Sequence, residues 1–178
     1  MSITFQKRAS QLAQQVMIVE DDPVAARVLE STLAGSAFCS HLVASAEEAL
    51  AAFQREAYPV VIVDLHLPGG SGTELIQELN NAVHPPIILV HTVEKDTSNV
   101  IETMKLGVYD YLIKPVNDEH LFDRLNKAFE VFELRRMQRD LEKEREIRVR
   151  KQLSWNLWKE TLIFRNGDRF DQSLFNNL

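Results

Sequence analysis

A single cysteine, Cys39, stands in 178 residues. One thiol closes no internal disulfide and builds no cysteine-rich zinc site, so both kinds of scaffold are excluded. Long apolar runs are missing too. Uninterrupted stretches such as residues 87–90 are far too short to cross a bilayer. Near the N-terminus Ile3 and Phe5 are apolar, but Gln6, Lys7, Arg8, Gln11, Gln14 and Gln15 break any signal-peptide core. These absences lead to the expectation of a reducing, cytoplasmic location with no membrane partner. Glycine and proline number only six each, while 45% of the chain is hydrophobic and 26% charged. That balance excludes disordered, collagen-like and low-complexity classes. The length suits one ordinary domain plus an addition, or two very small ones.

Charge is unevenly placed. Residues 1–130 hold 9 basic and 18 acidic side chains, a balance of −9, whereas residues 131–160 hold 9 basic and 6 acidic, a balance of +3. The second stretch has no Gly and no Pro, so it reads as a charged helix-former. The acidic first part is a poor nucleic-acid binder and suits a site that gathers carboxylates around a cation.

Along the chain, short Val- and Ile-rich runs recur at 16–19, 60–63, 87–90 and 109–113, with a weaker one at 41–44. Near-continuous apolar runs of this length suit strands covered on both faces of a parallel sheet. Helical patterns lie between them. Pro23 opens one in its first turn, with Gly35 just past its end. Ser45 and Glu48 form a capping box for 46–55. Segments 73–80 and 96–106 follow, the latter closed by Gly107, and Asn117 caps a last helix near Asp118. Strand then helix, five times over, predicts a doubly wound α/β sandwich of three layers.

In such open sheets ligands bind beyond the carboxyl ends of the strands, so the residues that leave each strand matter most. The first strand leaves on Glu20-Asp21-Asp22, the third on Asp64, the fourth on Thr92 and the fifth on Lys114-Pro115. Crowded carboxylates repel, and a divalent cation relieves the repulsion. All-oxygen donors without a His/Cys cluster point to Mg²⁺ or Mn²⁺ rather than zinc. A carboxylate beside such a metal can attack phosphorus and form an acyl phosphate, with Lys114 and Thr92 stabilising the transferring oxygens. Asp22 reads instead as a loop acid or helix N-cap. His41, His84 and His120 read as surface or capping residues, and Cys39 as a small apolar one.

Val19-Glu20-Asp21-Asp22-Pro23, residues 63–72 (Val-Asp-Leu-His-Leu-Pro-Gly-Gly-Ser-Gly), Thr92 and residues 111–115 (Tyr-Leu-Ile-Lys-Pro) resemble the receiver domain of two-component response regulators. The resemblance covers about residues 14–130. It implies a flavodoxin-like sheet of five parallel strands in the order 2-1-3-4-5. It further implies Asp64 as phospho-acceptor, Asp21 as direct Mg²⁺ ligand, Glu20 acting through a metal-bound water, and the carbonyl of His66 as backbone ligand. Thr92 would be the switch hydroxyl, Lys114 the lysine paired with the phosphoryl group, and Tyr111 the aromatic that swings inward. Otherwise Tyr111 packs against the last helix. Lys114-Pro115 resembles the family's cis peptide. Val93 departs from the family's usual Ala or Gly and is expected to narrow access to the phosphoryl group. His91, one residue before Thr92, is expected on the opposite face of the fourth strand.

The expected organisation is an N-terminal extension at 1–13, a receiver domain at 14–130, a signalling or linker helix at 131–160, and a tail or start of an output module at 161–178. Leu134, Met137 and Leu141 form a short apolar seam that suits a parallel dimeric coiled coil. Past it, Arg145 and Arg148 interrupt the seam, and i,i+4 charge pairs suit a solvated helix. The basic run at 148–151 is short, so nucleic-acid binding is not expected. Trp155, Trp158 and Leu162 share a helical face, and residues 162–170 read as a small hairpin around Asn166-Gly167.

The leading reading is a phospho-accepting signalling protein, charged by a histidine kinase or phosphotransfer protein in a phosphorelay, that signals to an output domain or partner and turns over no metabolite. Its rivals are a metal-dependent phosphatase with Asp64 as nucleophile, and a dimerising scaffold that is never phosphorylated.

Overall fold

The computed structural model describes residues 14–68, 71–93 and 97–165, and their side chains except at 97–99 and 161–165. Strands and helices alternate as β1 (Gln15–Val19), α1 (Pro23–Leu33), β2 (Cys39–Val43), α2 (Ala46–Arg55), β3 (Val60–Val63), α3 (Gly72–Asn80), β4 (Ile87–Thr92), α4 (Thr97–Lys105), β5 (Asp110–Ile113) and α5 (Asp118–Arg165). The sheet has five strands in the order β2-β1-β3-β4-β5, with every pairing parallel. This is the order the family resemblance implied. The central strands β3 and β4 are buried along their whole length, while edge strand β2 alternates and leaves Cys39 exposed.

The helix signals act locally, as expected. Pro23 starts α1, and the Asp22 carboxylate accepts the Val24 N–H at 2.9 Å, which makes Asp22 an N-cap. The Asn117 side-chain oxygen accepts the His120 N–H at 2.7 Å. Ser45 Oγ accepts the Glu48 N–H at 3.2 Å, but the return bond of the capping box differs. Glu48 reaches back to the Ala44 N–H at 2.9 Å, because β2 ends at Val43 and leaves that donor for the glutamate.

Two apolar clusters cover the two faces of the sheet. One joins Met17, Val19, Val61, Val63, Ile88 and Val90 to Ala49 of α2 and Leu75, Ile76 and Leu79 of α3. The other joins Val16, Ile18, Val60, Ile62, Ile87, Leu89 and Leu112 to Leu29 and Leu33 of α1 and to Leu121, Leu125, Ala128 and Phe129 of α5. Period-two alternation along each strand thus sends odd and even residues to different helices.

The chain divides into two compact units, the first ending at Leu134 and the second beginning at Arg135. In the second, apolar side chains are exposed at Met137, Leu141, Ile147, Val149, Leu153 and Leu157. Trp155 and Trp158 stack with ring centroids 5.2 Å apart. Leu162–Arg165 are helical, which overturns the first arm of the expected hairpin. Once a helix is nucleated each further residue adds a hydrogen bond, whereas an isolated hairpin gains little. The remainder of that hairpin, like the 1–13 extension, lies outside the described residues. Among the described residues no helix is long and apolar enough to cross a membrane.

Candidate functional site

Four neighbouring strands each carry their alternation one step beyond the apolar cluster they share with α1 and α5. After Val16 and Ile18 comes Glu20, after Val60 and Ile62 comes Asp64, after Ile87 and Leu89 comes His91, and after Leu112 comes Lys114. The register aligns these ends. Val19 pairs with Val63 and Val63 with Val90, so Glu20, Asp64 and His91 follow as one row across β1, β3 and β4. Polar groups therefore cap an apolar face and meet at the carboxyl edge of the sheet.

Lys114 ties the row together. Its Nζ lies 2.6 Å from Asp64 Oδ2, 2.8 Å from Glu20 Oε1 and 2.6 Å from Glu20 Oε2. Glu20 is only 2% exposed and Asp64 is buried, so this ammonium is a counter-charge that two buried carboxylates share. Burial pushes the Asp64 carboxyl up, yet the Lys114 ammonium, the His66 N–H and the Thr92 hydroxyl outweigh it and hold the group below its ordinary value. Burial likewise pushes Lys114 down, but its bonds to Asp64 and Glu20 win and its pKa is raised.

Backbone completes the pocket. The His66 N–H donates to Asp64 Oδ1 at 3.1 Å, which sets the His66 peptide beside the acid. The start of α3 presses against the same strand end. A Cβ added at Gly72 would lie 2.3 Å from the Asp64 carbonyl oxygen, so only glycine fits there. The Lys114-Pro115 peptide is cis.

Side-chain oxygens of Glu20, Asp21 and Asp64 lie within 4.8 Å of one another. Three clustered carboxylates with no sulfur or imidazole among them form a hard donor set that fits a small divalent cation such as Mg²⁺. Asp22 stands outside that group, as its capping role anticipated. Thr92 is fully buried and its hydroxyl bonds the Asp64 carboxylate, although its strand position faces the other cluster.

Tyr111 is half-buried against the cluster shared with α2 and α3. This overturns the alternative that it packs on the last helix, since it lies one step out of phase with Leu112 on β5. Val93 is exposed.

His91 is the residue whose place the sequence only half disclosed. It does lie on the face opposite Thr92, but that face belongs to Glu20. Its Nδ1 is 3.5 Å from Glu20 Oε2, and His91 is 4% exposed. The signal was the shared alternation of Ile87, Leu89 and His91 with Val16, Ile18 and Glu20, which becomes readable once strand order is known.

Comparison with known proteins agrees with this geometry. A family model described as the response regulator receiver domain matches residues 16–126. The DNA-binding response regulator MtrA of Mycolicibacterium smegmatis is 30% identical over 114 residues, covering 64% of this chain and 50% of that protein. The response regulator protein FleR of Pseudomonas aeruginosa is 36% identical over 115 residues, covering 63% of this chain and 24% of that protein. The chain thus spans half or less of the length of these curated relatives. Among solved structures, the receiver domain of the sensor histidine kinase PA1611 of Pseudomonas aeruginosa PAO1 superposes with a TM-score of 0.61 at 25% identity, over 66% of this chain and 98% of that one. That protein was solved with a magnesium ion coordinated in its active-site cleft.

Proposed function

This chain belongs to the response regulator receiver domain family of two-component signalling, and from that premise we propose that Asp64 accepts a phosphoryl group from the phosphohistidine of a histidine kinase or phosphotransfer protein. A carboxylate oxygen of Asp64 attacks phosphorus, the P–N bond breaks, and the imidazole leaves with the bonding pair and regains a proton from water. Mg²⁺ or Mn²⁺, when bound, would supply positive charge that offsets the charge of the transferring phosphoryl group; Glu20, Asp21, Asp64 and the His66 carbonyl are the groups that would hold it. Lys114 turns its ammonium toward one phosphoryl oxygen, and the Thr92 hydroxyl donates to another. The family is one of signalling proteins, and the chain's own chemistry is confined to its charging and discharging.

One observation carries the reading: a buried carboxylate with a lysine ammonium 2.6 Å away, inside a cluster of three acids at the carboxyl edge of a parallel sheet. A phosphoryl group adds about two negative charges there. The added charge biases a face built from β4, α4 and β5, with Thr92 and Tyr111 as the moving parts. Residues 14–130 act as the receiver and 131–160 as the signalling helix. Leu134, Met137 and Leu141 provide a seam for a parallel homodimer, and the signal passes to an output domain or partner protein. This reading implies a cytoplasmic location.

Incubation with acetyl phosphate and Mg²⁺, followed by intact-mass spectrometry, tests the assignment. One phosphoryl adduct that Asp64→Asn abolishes is the expected result. Release of many equivalents of phosphate would favour a phosphatase, and absence of any adduct a scaffold.

A further inference from the structure

Among the described residues, Glu20 is buried and shares the Lys114 ammonium with Asp64. Whatever draws Lys114 toward Asp64 therefore strips Glu20. A buried carboxylate without a donor is costly and turns toward any donor within reach. His91 stands ready as one. Its Nδ1 is buried and makes no hydrogen bond, yet it lies 3.5 Å from Glu20 Oε2, beyond a normal N–H···O distance by roughly half an ångström. Among the described residues, the other charged groups beside that carboxylate are Lys114, Asp64 and Asp21, and of these Lys114 is the donor.

We propose that His91 is a positioning residue: its ring N–H takes up Glu20 Oε2 and holds that carboxylate toward the cation as cation binding displaces Lys114 from it. This rests on the metal-binding reading given above. The neutral imidazole protonated at Nδ1 suffices, and no proton has to move. A histidine here reaches across β3 because Glu20, Asp64 and His91 share one register row and one face. An apolar residue at position 91 would fill the same space and leave Glu20 to Lys114 alone.

The test is calorimetric titration of the full chain with Mg²⁺, without any phosphodonor, for the wild type, His91→Met, His91→Gln and His91→Asn. Partners that orient a metal-binding group change affinity by about tenfold or more, so His91→Met is expected to bind Mg²⁺ about tenfold more weakly. His91→Asn, whose amide nitrogen hangs on Cγ as Nδ1 does, is expected within about twofold of the wild type, and His91→Gln, whose amide sits one carbon farther out, to resemble Met. Melting in chelator accompanies each titration, because a purely structural role would lower stability without this ordering of affinities. If the Met chain does not fold, the Gln and Asn comparison decides alone. Equal Mg²⁺ affinity in the wild type and the Met or Gln variants overturns the role of His91 while leaving the metal site intact. A wild type that binds no Mg²⁺ overturns the metal reading, and this inference with it.

Discussion

Helix α5 spans two regions that share a backbone and little else. In its first turns Leu121, Leu125, Ala128 and Phe129 recur at helical spacing and are buried against the sheet. From Leu134 to Trp158 the apolar residues are exposed, Leu141 by 67%. The later region has local contacts instead: Gln138 to Glu142 at 3.4 Å, Gln152 to Asn156 at 3.4 Å, the Trp155–Trp158 stack, and Lys159 over the Trp155 ring at 5.5 Å. Each such contact contributes a few tenths of a kcal/mol to about 1 kcal/mol. The contrast teaches that one sequence property, helix propensity, serves two ends. In the first region it presents an amphipathic stripe to a core, and in the second it carries exposed apolar side chains among charged ones.

Equal cuts in the two regions are the strongest way to break that contrast. Leu125→Ala, at a site with no exposure, is expected to destabilise by about 3 to 4 kcal/mol in urea unfolding. Leu141→Ala is expected to change the same measurement by less than about 0.5 kcal/mol in dilute protein. Similar losses at both positions would mean that the second region is as tightly packed as the first.

The polar rim of the core comes next. Lys114→Met strands Glu20 and Asp64 without their ammonium and is expected to cost the metal-free chain about 3 kcal/mol. Added Mg²⁺ should recover part of that loss. Folding lowers the Asp64 pKa and raises that of Lys114, so their pair stabilises the fold throughout the range between. The contribution is lost as pH falls through the lowered Asp64 value, below its ordinary 3.8, and as pH rises through the raised Lys114 value, above its ordinary 10.5. Urea midpoints across pH should therefore show a constant gap between wild type and Lys114→Met near neutrality, closing at both extremes.

Smaller effects sharpen the comparison. Ser45→Ala removes the cap of α2 and should cost about 1 kcal/mol of chemical stability. Glu142→Ala deletes one i,i+4 partner in the exposed helix, worth roughly 0.3 kcal/mol. It should register as a slight loss of ellipticity at 222 nm on warming, with the urea midpoint of the core unmoved.

Much of the site was legible because its residues end apolar runs. Glu20-Asp21, Asp64 and Lys114 each break a Val- or Ile-rich stretch, His91-Thr92 break another, and a polar break after a buried strand marks the carboxyl edge. Asp22 was legible as a cap from the proline that follows it. Other features were not. The return bond of Glu48 went to Ala44 because the end of β2 decided which N–H lacked a partner. Leu162–Arg165 joined a helix because cooperativity outweighed the turn signal of Asn166-Gly167. Tyr111 chose its cluster through the phase of β5 relative to its neighbours.

The elements themselves, and which side chains share a face within each strand, were written in the amino-acid order, since periods of 2 and 3.6 are properties of a few consecutive residues. Which strands lie side by side does not follow from those periods, and was anticipated only through the family resemblance. Only the order β2-β1-β3-β4-β5 sets Glu20 beside Asp64, brings Lys114 to both acids from across the sheet, and turns His91 toward Glu20. Such contacts join residues up to 94 positions apart, and only the packing of helices on both faces of the sheet sets their register.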